Sequence, residues 1–216
     1  MKKFKGMLLA CDMDGTLLDS MTKWRELNGV FVRGMGITPT EKQEADMMSM
    51  SGTMVVDYFR DEFGIRSSFD ELCVMACKAM EPVYAAGVAR KPGAADYLRR
   101  LRERGVKCVL ATATPARLAL VGLNGADMVS NLDYIFSTDM IGCEKSETAF
   151  FDKLCGIIGV EKKDCVMFED SLYAMRGARN AGLLGVVGIT DATNTRDIGT
   201  IRECCDIVID SYDELK

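Results

Sequence analysis

The chain has 216 residues, enough for one well-formed core or for a core with a small inserted module, and its 48% hydrophobic and 27% charged residues are ordinary for a globular protein. A net charge of −5 leaves no basic surplus to neutralise nucleic-acid phosphates, and no stretch approaches the ~18 uninterrupted apolar residues of a membrane span. Nine cysteines without a C-x-x-C pair, in a chain with no histidine, argue against both zinc and a disulfide framework, so a cytoplasmic protein is expected, a monomer rather than an oligomer.

In chain order, the first apolar run is Met7–Cys11. Three lysines precede it, as in a signal peptide, but the run is short and Asp12 and Asp14 interrupt it, which favours a buried first strand. Helical periodicity without a convincing strand then occupies residues 20–90, in Trp24–Met35, Glu41–Met50, Met54–Phe63 and Phe69–Gly87. Turn signals at Gly36, Thr38-Pro39, Gly52 and Gly64 part these segments. From Lys91-Pro92-Gly93 onward, helices and strands alternate. Helical patterns cover Gly93–Arg104, Pro115–Leu123, Glu147–Ile158 and Leu172–Ala181. Strand-like runs cover Val106–Ala111, Tyr134–Ser137, Cys165–Phe168, Gly185–Ile189 and Asp206–Ile209. Gly105, Gly159 and Gly182 stand where helices should stop. The alternation predicts an α/β fold, a doubly wound, Rossmann-like parallel sheet built by residues 1–19 and 91–216, with residues 20–90 inserted as a helical module. Arg99, Arg100, Arg102 and Arg104 read as a solvated helix face, and the fifteen methionines as core filling.

Doubly wound sheets bind ligands at the carboxyl ends of their strands, so the polar residues that end each apolar run are the candidates. They are Asp12-Met-Asp14-Gly15-Thr16, Thr112-Ala-Thr114, Lys145 beyond the third run, and Glu169-Asp170-Ser171. Carboxylate oxygens without histidine or thiolate favour a hard cation, magnesium above all. Lysine and threonine add a charge and a donor for phosphoryl oxygens. Asp12 and Asp14, two apart in extended chain, project to the same side, so one can act as nucleophile while the other handles a proton. Gly15 permits a sharp exit from the strand. Ser171 reads as an N-cap, and Thr114 as the residue that starts a helix with Pro115 at its first position.

These four segments, in this order, resemble the motifs of the haloacid dehalogenase superfamily. Asp12-Met-Asp14-Gly15-Thr16-Leu17-Leu18-Asp19-Ser20 is similar to its first motif, and Thr112 after Val109-Leu110-Ala111 to its second. Lys145 matches the third in position, although Ser146-Glu147 replaces the usual proline-containing context. Phe168-Glu169-Asp170-Ser171 with Gly177, Ala178, Ala181 and Gly182 resembles the fourth. The resemblance implies Asp12 as nucleophile, Asp14 as general acid and base, and Thr112 and Lys145 as holders of the transferring phosphoryl group. It implies magnesium bound by Asp12, the Asp14 carbonyl and Asp170, with Glu169 in direct contact or one shell out.

An insert after the first strand resembles the helical cap of the β-phosphoglucomutase and phosphoglycolate phosphatase branch, with hinges near Leu18–Ser20 and Ala86–Pro92. Thr16, Ser20, Trp24 and Thr114 are the candidate substrate contacts, and Lys23, Arg25 and Arg33 lie nearby. Mutases of the branch use a cap histidine where Trp24 stands, and the candidate cap loop Met48-Ser-Met-Ser-Gly52-Thr53 carries no base. The expected activity is therefore hydrolysis of a small, weakly charged phosphomonoester, with no nucleic-acid or membrane partner. A sugar phosphomutase and a non-enzymatic phospho-accepting or binding protein are the alternatives.

Overall fold

A computed structural model describes residues 7–48 and 53–215. Its strands are β1 (Leu8–Cys11), β2 (Lys107–Thr112), β3 (Tyr134–Ser137), β4 (Cys165–Glu169), β5 (Gly185–Ile189) and β6 (Ile207–Ile209). All pair in parallel, in the order β3-β2-β1-β4-β5-β6. Between β1 and β2 lie α1 (Met21–Gly34), α2 (Glu41–Met48), α3 (Thr53–Phe63), α4 (Phe69–Ala85) and α5 (Ala94–Glu103). The remaining helices are α6 (Ala116–Gly125), α7 (Thr138–Ile141), α8 (Thr148–Ile158), α9 (Leu172–Ala181) and α10 (Ile198–Cys204). The fold is thus the α/β, Rossmann-like parallel sheet expected from the alternation of patterns.

Side chains along β1 alternate between two cores, as a period of two requires. Leu9 and Cys11 enter one with Leu98 of α5, Leu118 and Leu123 of α6, and Tyr212. Leu8 and Ala10 enter the other with Phe150, Phe151 and Leu154 of α8, Met175 and Ala178 of α9, and Ile201 of α10. Helices on both faces explain why the strands read as nearly continuous apolar runs.

Every expected strand is present within one residue at either end. The short α7 and α10 escaped the sequence reading because one or two turns cannot display a 3.6-residue period. Helix α1 starts at Met21, three residues before the expected Trp24, because the chain already turns at Ser20, whose carbonyl accepts from Trp24 N–H at 3.1 Å. The expected end of α2 at Met50, and the turn at Gly52, lie outside the described residues. Pro115 is the residue before α6 rather than its first position, one step from expectation. No described helix is long and apolar enough to cross a membrane.

Helices α1 and α4 reach the main core through Leu27, Met80 and Tyr84. Val32, Met47, Val55, Phe59, Ile65 and Leu72 form a separate cluster among α1 to α4. Helix α4 begins with a reciprocal capping box between Ser68 and Glu71. Its far end lies on α6 so closely that a Cβ at Gly125 would meet the Tyr84 carbonyl oxygen at 2.0 Å, while one at Gly122 would touch the Tyr84 ring at 3.3 Å. The two chain segments that join this helical stretch to the sheet run side by side. Asp19 N–H donates to the Ala89 carbonyl at 2.8 Å, and Lys91 N–H to that of Leu17 at 2.9 Å.

Candidate active site

Strands β1 and β4 are neighbours in the sheet, but their following segments diverge, one to α1 and the other to α9. A crevice opens at their carboxyl ends, where parallel sheets bind ligands. Asp12 follows β1 directly, and its N–H donates to the Phe168 carbonyl of β4 at 3.0 Å. The chain then folds back on itself: Leu17 and Leu18 N–H both donate to the Met13 carbonyl, and Gly15 N–H donates to that of Leu18. Gly15 takes φ +79°, and a Cβ there would meet the Asp170 carboxylate at 2.2 Å. Both the left-handed backbone and the close approach require glycine.

Lys145 is buried (1% exposed) and joins the first and fourth motifs. Its Nζ donates to Asp12 Oδ1 at 2.6 Å and to Glu169 Oε2 at 2.8 Å. The other Glu169 oxygen accepts from Asp170 N–H at 3.2 Å and Ser171 N–H at 3.0 Å. Glu169 therefore pairs with Lys145 and also belongs to an acidic cluster: oxygens of Asp12, Glu169 and Asp170 lie within 4.8 Å of one another. Ser171 stands at the N-cap position of α9 without capping it by its side chain, and its hydroxyl donates instead to Asp170 Oδ1 at 3.3 Å.

This cluster is electrostatically tense. Burial pushes the Asp12 carboxyl up to about 7; Lys145 opposes the rise, and the charges of Glu169 and Asp14 add to it. Asp170 is raised well above the usual carboxylate range, first by burial and then by Glu169 and Asp12. Burial alone would lower the Lys145 ammonium, but Asp12 and Glu169 hold it well above its ordinary value. One ammonium against three buried carboxylates leaves excess negative charge. Hard oxygen donors with unmatched charge fit a divalent cation.

Asp14 occupies a different setting. Its Oδ1 accepts from Ser20 Oγ at 2.5 Å, from Trp24 Nε1 at 3.1 Å and from the Tyr84 hydroxyl. Its Oδ2 accepts from Thr114 Oγ1 at 2.7 Å. Trp24 Nε1 also donates to Tyr84 Oη at 2.9 Å. Burial and the neighbouring Asp14 push the Tyr84 phenol far above its ordinary value, so it stays protonated as a donor. Of the residues expected to meet substrate, Ser20, Trp24 and Thr114 thus direct polar atoms at Asp14. Thr16 is fully buried, and its hydroxyl has no hydrogen-bond partner. Thr112 Oγ1 accepts from Thr114 N–H at 3.1 Å and so shapes the turn after β2.

Several residues at the site were not anticipated. Tyr84 comes from the end of α4, seventy residues from Asp14. Asn194 Nδ2 donates to the Asp170 carbonyl at 3.1 Å and the Ile189 carbonyl at 2.9 Å, tying the ends of β4 and β5 together. Asp191 pairs with Lys91 at 2.7 Å beside them. No local pattern marks any of these, because each becomes a neighbour only through packing.

A family model described as a haloacid dehalogenase-like hydrolase matches residues 7–182. The chain is 26% identical over 208 residues to validoxylamine A 7'-phosphate phosphatase of Streptomyces hygroscopicus subsp. limoneus, covering 95% of this chain and 93% of that one. It is 23% identical over 183 residues to phosphorylated carbohydrates phosphatase of Thermotoga maritima, covering 85% of each. Its fold is similar to that of CbbY from Rhodobacter sphaeroides, solved in complex with phosphate, with a TM-score of 0.77, 19% identity and coverage of 97% of this chain and 96% of that one.

Proposed function

Because the chain belongs to the haloacid dehalogenase-like hydrolase family, we propose that it is a magnesium-dependent phosphatase that hydrolyses small phosphomonoesters through a phosphoaspartate on Asp12. The observation that carries this reading is the contrast between two carboxylates two residues apart. Asp12 lies against an ammonium and the acidic cluster, while Asp14 is held by neutral O–H and N–H donors.

In the proposed reaction an Asp12 oxygen attacks phosphorus, and the bond to the leaving oxygen breaks as Asp14 gives that oxygen its proton. An alkoxide is a poor leaving group without this proton. Asp14 then takes a proton from water, whose oxygen attacks the phosphoaspartate; inorganic phosphate leaves and the Asp12 carboxylate is restored. Lys145, with Thr112, offsets the charge on the equatorial phosphoryl oxygens, which in phosphoryl transfer is the larger part of catalysis. Asp12, Glu169, Asp170 and the Asp14 carbonyl would hold magnesium, which supplies further charge neutralisation at the phosphoryl group.

Residues 20–90 act, in this reading, as a cap over the crevice, with hinges at 18–20 and 86–92. Support comes from the separate apolar cluster among α1 to α4 and from the paired connections at Asp19 and Lys91. A cap that excludes water protects the phosphoaspartate until substrate has left. A mutase must instead return the phosphoryl group to a sugar; where mutases of the branch use histidine, Trp24 offers an N–H that only donates.

The test is a screen of phosphorylated metabolites and p-nitrophenyl phosphate with and without magnesium, beside Asp12→Asn and Asp14→Asn. Wild-type turnover by Asp12→Asn would remove Asp12 as nucleophile. Asp14→Asn is expected to accumulate phosphoenzyme, seen as a mass increase by intact-protein mass spectrometry, and unimpaired turnover by it would exclude the acid–base role.

A further inference from the structure

Glu169 is the last residue of β4 to pair with β5, opposite Gly188, so Asp170 lies just past the end of the ladder. It is buried (2% exposed), and its carboxylate faces those of Glu169 and Asp12, a repulsion that favours its departure from the cluster. Local bonds do little to prevent this. Asp170 N–H donates to Glu169 Oε1 at 3.2 Å, and the Ser171 hydroxyl donates to Asp170 Oδ1 at 3.3 Å, so both partners are its own chain neighbours.

The tie to another part of the sheet comes from Asn194, buried in the turn after β5. Its Nδ2 donates to the Asp170 carbonyl at 3.1 Å and to the Ile189 carbonyl at 2.9 Å, while its Oδ1 accepts from Asp191 N–H at 3.0 Å. Two carbonyls on one side and an N–H on the other admit one orientation of the amide and engage both of its donors. The side chain thus acts as one more rung between β4 and β5. The loop that carries it is fixed in turn. Asn194 N–H donates to the Asp191 carbonyl at 3.1 Å, Asp191 Oδ1 accepts from the Thr193 N–H and hydroxyl, and Asp191 Oδ2 pairs with Lys91 at 2.7 Å. Thr190 N–H donates to the Ile209 carbonyl of β6 at 2.9 Å. Asn194 is therefore an anchor held from β5, β6 and Lys91, and the end of β4 is attached to it.

We propose that Asn194 is a positioning residue for the metal: by holding the Asp170 backbone it sets how tightly the cluster of Asp12, Glu169 and Asp170 binds magnesium. This rests on the reading of the protein as a magnesium-dependent phosphatase. Asn194 is not itself a ligand, because its amide is already spent on three backbone groups. Residues that orient ligands from behind matter nearly as much as the ligands, and their loss usually costs about ten- to a hundredfold in metal affinity.

Calorimetric titration with magnesium alone tests this without turnover. The dissociation constant is expected to rise by about tenfold or more in Asn194→Ala, and equally in Asn194→Leu, which keeps the volume of the side chain but has no donor. Thr193→Val is the control for a merely structural role. It removes a hydroxyl bond to Asp191 in the same loop and leaves the bond to Asp170 in place, so its urea midpoint should fall while its magnesium affinity stays within about threefold of wild type. Hydrogen exchange on the wild-type protein gives a reading that does not depend on a variant folding. Magnesium is expected to slow exchange of the Asp191 and Asn194 amides, which lie in a loop that supplies no ligand. Wild-type affinity in both Asn194 variants, or loop exchange indifferent to magnesium, overturns the proposal. A wild-type protein that binds no magnesium is a separate result, since it refutes the metal reading on which the proposal rests.

Discussion

Gly177→Ala adds one methyl group in α9 and tests whether the position of Lys145 is set by the helix behind it. A Cβ at Gly177 would lie 1.9 Å from the Lys145 carbonyl oxygen and 2.9 Å from both the Lys145 carbonyl carbon and Ser146 Cα. These are backbone atoms, so no side-chain rotation relieves the clash. To reach ordinary contact near 3.4 Å the backbone must retreat by about 1.5 Å. Lys145 Nζ bonds Asp12 at 2.6 Å and Glu169 at 2.8 Å, and such a retreat exceeds what either bond tolerates. Misplacing a reacting group by about 1 Å costs on the order of a hundredfold in rate, and overpacking costs roughly 1–3 kcal/mol in stability. Gly177→Ala should therefore fold, with a lower urea midpoint, and hydrolyse p-nitrophenyl phosphate with kcat reduced about a hundredfold. Gly156→Ala in α8 is the control: nothing lies within 4 Å of its Cβ, and alanine there should stabilise by about 0.5–1 kcal/mol. If Gly177→Ala keeps kcat within a factor of three, the α9 packing does not position Lys145 and the argument fails.

Tyr84→Phe removes one donor to Asp14 but keeps the ring against Gly122, so the variant should fold and lose about tenfold in kcat, the worth of one hydrogen bond to a charged group. Unchanged kcat would mean that Asp14 does not depend on Tyr84. Asp191→Asn concerns stability. Burial alone would raise this carboxyl, but Lys91 at 2.7 Å and the Thr193 N–H and hydroxyl, both at 2.9 Å, hold it below the usual range. A depressed folded-state value stabilises the protein above the unfolded value of ~3.9, and that stability is lost as pH falls through the folded value. Asp191→Asn should thus cost about 3 kcal/mol at pH 7, with the gap to wild type narrowing as pH falls below 4. Urea midpoints across that range decide it, and a pH-independent gap contradicts the assignment.

The sheet and the polar residues at its carboxyl edge were legible because both are written locally. A strand buried on two faces is a short apolar run, and the residue that ends it at the ligand-binding edge is polar, so Asp12, Thr112, Glu169 and Asp170 stand out in one dimension. Lys145 was marked by order within the motif set. What could not be read was how side chains are shared out. Ser20, Trp24 and Thr114 were read as substrate contacts, and a sequence does not say that one carboxylate gathers all three. Tyr84 joins them only because Gly122 and Gly125 let α4 settle on α6. Arg25 looked like one of several cations on a helix. Its distinction, burial without a partner while Lys23 and Arg33 are paired, belongs to the packed molecule alone.

The donors around Asp14 explain why two similar carboxylates can serve different steps of the proposed reaction. Asp12 is paired with a cation, which opposes the rise that burial gives its carboxyl. Asp14 touches only hydroxyl and indole groups, which fix the orientation of its carboxylate. Three of the four donors belong to residues 20–90: Ser20 just before α1, Trp24 on α1 and Tyr84 on α4. The first and last helices of the stretch expected to act as a cap thus hold this carboxylate. Displacement of α1 or α4 relative to the sheet would therefore remove donors from Asp14. In this arrangement the setting of the carboxylate that the proposed reaction uses as proton donor depends on how α1 and α4 seat against the sheet.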